Sequence, residues 1–291
     1  MARRAADLYP PTGRLLDIGG QQVHVHEEGA GPVVILTHGA NGNTRDFTWD
    51  LVPRMVDRYR VIAFDRPGLG HSQPLETGGD SPAEQAAVLD AAAARLGVQR
   101  AVVVGHSYGA SVAMAWALDH PERVGAVVSL AGATMPWPGE LGPWYRIASN
   151  RVGAAIVVPL VAALLPRALA HRSVGSVFAP QPAPDGYAEH IGIDLTLRSV
   201  SLRANARQVG GLKPHVTEMA RRYPALDLPV ELLHGTADTI VPIQVHARPL
   251  SKLLPDATLT ELEGVGHMPH HVDPSATLAA IDRAAGRAGL R

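Results

Sequence analysis

The sequence predicts an α/β fold, a mostly parallel eight-stranded sheet with helices on both faces, interrupted by an inserted helical cap. Three observations lead there. From residue 33 to residue 130, short continuous apolar runs alternate with helical patterns, as in buried parallel strands joined by crossover helices. From residue 133 to residue 225 this alternation stops, prolines recur, and the pieces between them read as helical; it resumes at residue 230. Finally, the apolar strand at 101–104 runs into Gly105-His106-Ser107-Tyr108-Gly109 and then an Ala-rich helical pattern, a sharp strand-to-helix junction with serine at its apex.

The elements follow in order. Residues 15–18 and 22–28 alternate apolar and polar around Gly19-Gly20, which predicts an antiparallel hairpin at the sheet edge. Residues 33–37 form a strand that ends in His38-Gly39-Ala40-Asn41-Gly42, and a helix is expected over 44–56. A strand at 60–64 enters the Gly/Pro loop Asp65-Arg66-Pro67-Gly68-Leu69-Gly70-His71-Ser72. Ser81 then Pro82 marks a helix start, and Gly97 a helix end. The junction helix is expected over 108–119 and the next strand over 124–130. In the insertion, helical pieces are expected at 145–165, 188–206 and 216–223. Strands at 230–233 and 258–262 and helices at 243–254 and 273–288 complete the chain. This divides it into a core of 1–132 and 226–291 around an inserted cap of 133–225.

Composition narrows the function. With 46% apolar and 18% charged residues the chain is of globular type, and a net charge of −1 without a basic run argues against nucleic-acid partners. The absence of cysteine excludes disulfides, thiolate nucleophiles and Cys-ligated metals. No apolar run follows Met1-Ala2-Arg3-Arg4, and the longest apolar stretch, 152–165, contains Pro159 and is too short to span a bilayer. The expectation is a cytoplasmic protein without a transmembrane segment, a metal or a cofactor, acting on a small-molecule acyl substrate.

A serine hydroxyl needs a base, and the base needs an orienting group. After Ser107 the candidates are Asp238, in the turn His234-Gly235-Thr236-Ala237-Asp238 beyond one strand, and His267, in Gly264-Val265-Gly266-His267 beyond another. The chain order Ser, Asp, His, each just past a strand end, suits a nucleophile, an acid and a base gathered at the carboxyl edge of a parallel sheet. His270 and His271 compete with His267 as base, but only His267 comes with Gly264 and Gly266 immediately after a strand. His106 is expected to pack or hydrogen-bond, and Asp256 to sit in a turn. His267, His270 and His271 lack the Glu of a helical zinc motif and enclose Pro269, so no metal site is expected. Attack on a carbonyl creates an oxyanion that needs two donors. The Tyr108 N–H is one, and the Ala40 N–H, in the glycine-rich loop after residue 37, is the other.

These pieces together resemble the α/β-hydrolase superfamily, in its capped, esterase-like serine-hydrolase branch. The motifs are His38 to Gly42, Asp65 to Ser72, Gly105 to Gly109, His234 to Asp238 and Gly264 to His267, within a span of about 15–285. The resemblance implies roles for Ser107, Asp238, His267, Ala40 and Tyr108, and none for residues of the cap. It also implies that dehalogenase and epoxide-hydrolase chemistry, which in this superfamily uses an aspartate nucleophile, is not expected with serine at 107.

The cap is locally rich in aromatics: Trp137, Trp144 and Tyr145 are candidate substrate-binding residues, with packing against the core as the alternative. Arg146, Arg151 and Arg167 flank its apolar run, which raises contact with lipid as a third reading. The leading expectation is a serine carboxylesterase that cleaves small to medium apolar esters through an acyl-enzyme, with acyl transfer as a side activity. The alternatives are a C–C bond hydrolase of a ring-cleavage product, with Arg198 or Arg203 holding a carboxylate, and a non-catalytic ligand-binding protein of the same fold.

Overall fold

The computed structural model describes residues 2–75 and 78–291, and the side chains of all of these except Ala2, Arg3, Arg4, Arg151 and Arg167. Eight strands form one sheet: β1 (Arg14–Ile18), β2 (Gln21–Glu28), β3 (Val33–Thr37), β4 (Arg60–Phe64), β5 (Ala101–His106), β6 (Val124–Leu130), β7 (Val230–Gly235) and β8 (Ala257–Leu262). Their spatial order is β1-β2-β4-β3-β5-β6-β7-β8. The β1–β2 hairpin and the β2–β4 pair are antiparallel, and every other pair is parallel. Thr37 lies opposite Gly105, Gly105 opposite Ser129, and Gly235 opposite Leu262. The carboxyl ends of the central strands therefore share one edge, and the loops that follow them converge there.

Successive residues of the central strands enter opposite cores, as the two-residue period requires. Ile35, Val103 and Leu232 face one core, which includes α4 (Pro82–Arg95) and α5 (Tyr108–Asp119). Val34, Val104 and Leu233 face the other, with α2 (Arg45–Thr48), α3 (Leu51–Met55) and the last helix of the chain (Pro274–Arg287). Ser81 caps α4 by accepting from the Glu84 N–H, while the Glu84 carboxylate accepts from the Ser81 N–H.

Between β6 and β7 the chain forms only helices: α6 (Pro143–Ala148), α7 (Arg151–Leu164), α8 (Arg167–Ser176), α9 (Tyr187–His190), α10 (Ile193–Thr196) and α11 (Ser199–Arg222). The sequence places helical pieces in this stretch, and the structure sets their breaks differently. The single helix expected over 145–165 is two, because Asn150 caps a new start by accepting from the Gly153 N–H at 2.8 Å. The helix α8 was not expected, since its residues show little apolar periodicity. Conversely, α11 runs unbroken through Gly210-Gly211 and Pro214, where the sequence suggests a gap. Its Leu212, Val216 and Met219 are buried in the main core, and that packing outweighs local propensity.

Elsewhere the helix expected over 44–56 breaks at Asp50, whose φ of −144° leaves the helical region. The helix expected over 243–254 is shortened to α12 (Ala247–Leu253), since 242–246 form turns closed on the Pro242 carbonyl. A further short helix, α13 (Pro269–Val272), precedes the last one, α14 (Pro274–Arg287). The helix α1 (Ala2–Leu8) is one that the sequence does not announce, and Met1 lies outside the described residues. Among the described residues no single helix is long and apolar enough to cross a membrane.

Candidate active site

Ser107 occupies a backbone conformation that L-residues rarely adopt, φ 53° and ψ −117°. Such a conformation costs about 1–3 kcal/mol and persists only where the surroundings over-determine it. Here the Ser107 N–H donates to the Leu130 carbonyl at 2.9 Å, and the Ser107 carbonyl accepts from Ala110 and Ala133 at 3.1 Å each. The flanking glycines are required by space. A Cβ at Gly105 would lie 2.3 Å from the Gly109 carbonyl oxygen, and one at Gly109 would lie 2.1 Å from that of Thr37. The strand, the turn and the next helix thus close on each other, leaving the serine side chain projecting at the sheet's carboxyl edge.

The structure brings Ser107, His267 and Asp238 together. His267 Nε2 lies 3.0 Å from Ser107 Oγ, and His267 Nδ1 lies 2.7 Å from Asp238 Oδ2. A carboxylate can only accept, so His267 carries its proton on Nδ1 and presents the Nε2 lone pair to the serine hydroxyl. The other Asp238 oxygen, Oδ1, accepts from the Ile240 and Val241 N–H groups, both at 2.9 Å. Burial alone would raise the Asp238 pKa, but hydrogen bonds from His234, His267 and the Val241 N–H hold it well below the usual carboxylate range. Asp238 is therefore a fixed negative charge beside the imidazole. His267 is anchored from behind as well, its carbonyl accepting from His106 Nε2 at 2.9 Å.

Ala40 lines the same cavity as Ser107, and Tyr108 opens α5, where a first-turn N–H lacks an intrahelical acceptor. The loop that carries Ala40 is held by Arg66, which is fully buried. Its Nε donates to the His38 carbonyl at 2.8 Å and its Nη2 to the Gly39 carbonyl at 2.9 Å. With the Gly39 carbonyl drawn toward Arg66, the N–H of the same peptide, that of Ala40, turns the opposite way. The insertion also grips this loop: the Asn41 N–H donates to Asn205 Oδ1 at 2.7 Å, and Thr196 Oγ1 donates to the Asn41 carbonyl at 2.8 Å. Among the described residues Arg66 has no carboxylate at hydrogen-bond distance; its Nη1 donates to Gln85 and Gln208, and its guanidinium lies 4.4 Å above the Tyr108 ring. Desolvation lowers its pKa to about 10, so it remains charged at neutral pH.

A cavity of about 510 Å³ opens from Ser107 and His267 into the insertion. Trp144, Tyr145, Val161, Leu165, Phe178 and Ile191 are among its walls. Trp137 is not, which corrects its assignment to substrate binding. Its ring centroid lies 6.1 Å from that of His246 and it packs against the main core. Arg198 and Arg203 are also elsewhere: Arg198 donates to the Gly70 and Leu195 carbonyls and to Ser201, and Arg203 to the Ala154 carbonyl. Among the described residues the cavity walls include no lysine or arginine.

His270 and His271, the rival bases, turn away from the serine to Asp46, at 3.3 and 2.8 Å. The Tyr187 hydroxyl donates to the same Asp46 oxygen at 2.6 Å. Burial alone would raise the Asp46 pKa, but His270 and His271 hold it well below the usual range. Sequence reasoning missed this cluster because nothing local to Asp46 marks it; only the crowding of histidines at 267, 270 and 271 hints at a shared partner. Asp46, His270 and His271 bring ligating atoms within 4.8 Å of one another, as do Asp90, His120 and Glu122. In the first group the carboxylate accepts from Tyr187 and His271, while His270 Nδ1 is buried without a hydrogen-bond partner among the described residues. Arg151 and Arg167, expected beside the apolar run, have side chains outside those described.

The comparisons with known proteins agree with this architecture. A family model described as the alpha/beta hydrolase fold matches residues 32–154. A 2-hydroxy-6-oxononadienedioate/2-hydroxy-6-oxononatrienedioate hydrolase from a Pseudomonas species is 31% identical over 264 residues, covering 84% of this chain and 85% of that protein. The haloalkane dehalogenase 2 of Mycobacterium tuberculosis is 28% identical over 285 residues, covering 94% of this chain and 95% of its own. A thermophilic esterase from Thermogutta terrifontis superposes with a TM-score of 0.74 at 19% identity, covering 95% of this chain and 99% of that one. With its parallel sheet, its strained serine at the strand-to-helix turn, and this similarity over most of its length, the chain belongs to the alpha/beta hydrolase family.

Proposed function

We propose that the protein is a serine hydrolase that cleaves small to medium apolar carboxylic esters through an acyl-enzyme. The observation that carries this reading is the continuous hydrogen-bond chain from Ser107 through His267 to Asp238. Ser107 Oγ attacks the ester carbonyl as His267 Nε2 takes its proton. Asp238 holds the imidazole in the required tautomer and balances the imidazolium. The N–H groups of Tyr108 and Ala40 receive the oxyanion. His267 then passes its proton to the leaving alcohol, and a water activated by the same imidazole releases the acid. With an alcohol in place of water the same groups carry out acyl transfer. Residues 133–225 act as the cap over this site, and Trp144 and Tyr145 shape the acyl pocket.

The substrate class follows from the cavity. Its walls are mainly aliphatic and aromatic, and the described ones bring no cation to a substrate carboxylate. The Pseudomonas relative is named for dioate substrates, whose charged ends call for such cations. The dehalogenase relative prompts a second comparison: serine at 107 forms an acyl-enzyme with a carbonyl substrate, which suits an ester and not an alkyl halide.

The test is an assay of wild type and Ser107→Ala on p-nitrophenyl acetate, butyrate and octanoate. The proposal expects turnover by wild type and a loss of at least about 10⁴-fold in kcat for Ser107→Ala. No turnover by wild type, or equal turnover by both, overturns it.

A further inference from the structure

We propose that the outer face of α6, α7 and α8 is a docking surface for an anionic phospholipid bilayer. Val152, Ile156, Leu160 and Leu164 recur every fourth residue along α7 and are 69%, 58%, 54% and 73% exposed. Side chains at this spacing are neighbours on one helical face, so the four make a continuous apolar stripe. Ile147 on α6 and Leu169 on α8 extend it. Six of the ten exposed large apolar side chains among the described residues thus fall between 147 and 169. Scattered exposed leucines are ordinary on a soluble surface, but such a concentration on one helix marks a contact surface.

The charge around the stripe selects the occupant. From residue 141 to residue 184 the sequence contains Arg146, Arg151, Arg167 and Arg172 and no Asp or Glu. Arg146 and Arg172 are exposed. Among the described residues, Glu189 on α9 approaches this segment, its carboxylate 3.7 Å from His171. An apolar helical face bordered by arginines has the pattern of a helix lying in a lipid interface, its apolar side among the acyl chains and its cations at anionic headgroups. A spanning arrangement does not fit. At 14 residues α7 is about 21 Å long, short of the about 30 Å hydrocarbon core, and the bend between α7 and α8 is 103°. A second copy of this chain would bring arginines against arginines, whereas an anionic bilayer neutralises them.

The opposite sides of the same helices form part of the cavity: Val161 and Leu165 from α7, and Ala170, Ser173 and Val174 from α8. Docking therefore places the roof of the proposed acyl pocket against the membrane, the phase into which apolar esters partition. The docking itself is independent of the serine chemistry, so the two can fail separately.

The experiment is flotation with extruded vesicles of phosphatidylcholine alone or mixed with phosphatidylglycerol. It uses wild type, Ile156→Glu/Leu160→Glu, Leu15→Glu and Ser107→Ala, with p-nitrophenyl butyrate turnover measured alongside. Leu15 is exposed but lies on the edge strand β1, away from the stripe. The expected result is binding of wild type, Leu15→Glu and Ser107→Ala to phosphatidylglycerol vesicles, with affinity for pure phosphatidylcholine at least about tenfold lower. Ile156→Glu/Leu160→Glu loses vesicle binding by more than about tenfold and keeps its turnover of soluble ester. Wild type that stays with the soluble fraction at every vesicle composition overturns the proposal. So does undiminished binding by the double variant, or a wild-type dimer in light scattering that the double variant dissociates.

Discussion

Replacing Arg66 by Met tests how the proposed oxyanion site is built. The change keeps an unbranched apolar stem but removes the guanidinium that donates to the His38 and Gly39 carbonyls and to the Gln85 and Gln208 amide oxygens. The His38 carbonyl and the two amide oxygens lose their donor, at about 1–3 kcal/mol each if nothing compensates, while the Gly39 carbonyl keeps His38 Nδ1 and the Gly42 N–H. Burying the arginine has its own cost, visible in its lowered pKa, and water or amide rotation re-pairs some of the acceptors. The net expectation is a destabilisation of about 2–4 kcal/mol, below the gross sum. Catalysis responds more selectively. The Gly39 carbonyl keeps the His38 Nδ1 donor at 2.9 Å and the Gly42 N–H at 3.3 Å, so loss of Arg66 loosens the Ala40 N–H without freeing it, and the cost of losing one oxyanion donor outright, about 10²–10³ in kcat, is the upper bound. The expected outcome for Arg66→Met on p-nitrophenyl butyrate is a fall of about 10–10²-fold in kcat with KM within about threefold, since the apolar walls from the insertion are untouched. Arg66→Lys restores the charge but not the planar fork and recovers only a minor part. A folded Arg66→Met with kcat within about threefold of wild type, read beside its urea unfolding midpoint, would refute the reasoning.

Three further outcomes are expected. His38 and His246 are buried and their pKa values are lowered to about 4, chiefly by desolvation. Both are neutral in the native state and take up protons more readily when unfolded. Their contribution is therefore full above about pH 6.5 and is lost as pH falls toward 4, by up to about 3 kcal/mol each. Urea midpoints should drop across that window, and His246→Gln should flatten the profile; an unchanged slope would contradict this. Gly109→Ala places a Cβ 2.1 Å from the Thr37 carbonyl oxygen and should prevent soluble expression, whereas a Cβ at Gly211 meets nothing within 4 Å in α11. Gly211→Ala should therefore stabilise by about 0.5–1 kcal/mol in thermal unfolding. Trp144→Ala should shift the preference among acyl chain lengths, while Trp137→Ala should lower the melting temperature and leave that preference unchanged.

The parts of this molecule that could be read from sequence are those where local geometry admits few residue types. The crowding around Gly105 and Gly109 and the positive φ of Ser107 force a recognisable pattern, and continuous apolar runs mark strands buried on both faces. Asp238 follows such a strand within a few residues, whereas His267 follows the alternating edge strand β8 and was marked by the chain order Ser, Asp, His. The Asp46 cluster was not, since its members are set by packing between 46, 187 and 270–271, which no local spacing records. Trp137 was misplaced for a related reason: an aromatic next to a loop carries no sign of whether it turns to the core or to the cavity. In the insertion, Asn150 ends one helix and starts another through its own side-chain cap, while Gly210, Gly211 and Pro214 fail to end α11 because tertiary burial outweighs local propensity. Arg66 was visible within a motif, but its contacts with two carbonyls of another loop were not.

The central claim is that Ser107 is a nucleophile activated by His267. The most direct measurement is the intact mass of the protein after exposure to a fluorophosphonate at neutral pH, followed by peptide mapping. The account predicts one adduct per chain, located on Ser107, absent in Ser107→Ala and formed at least about 10³-fold more slowly in His267→Ala. An adduct on another residue, or labelling of Ser107 at the same rate without His267, would contradict it.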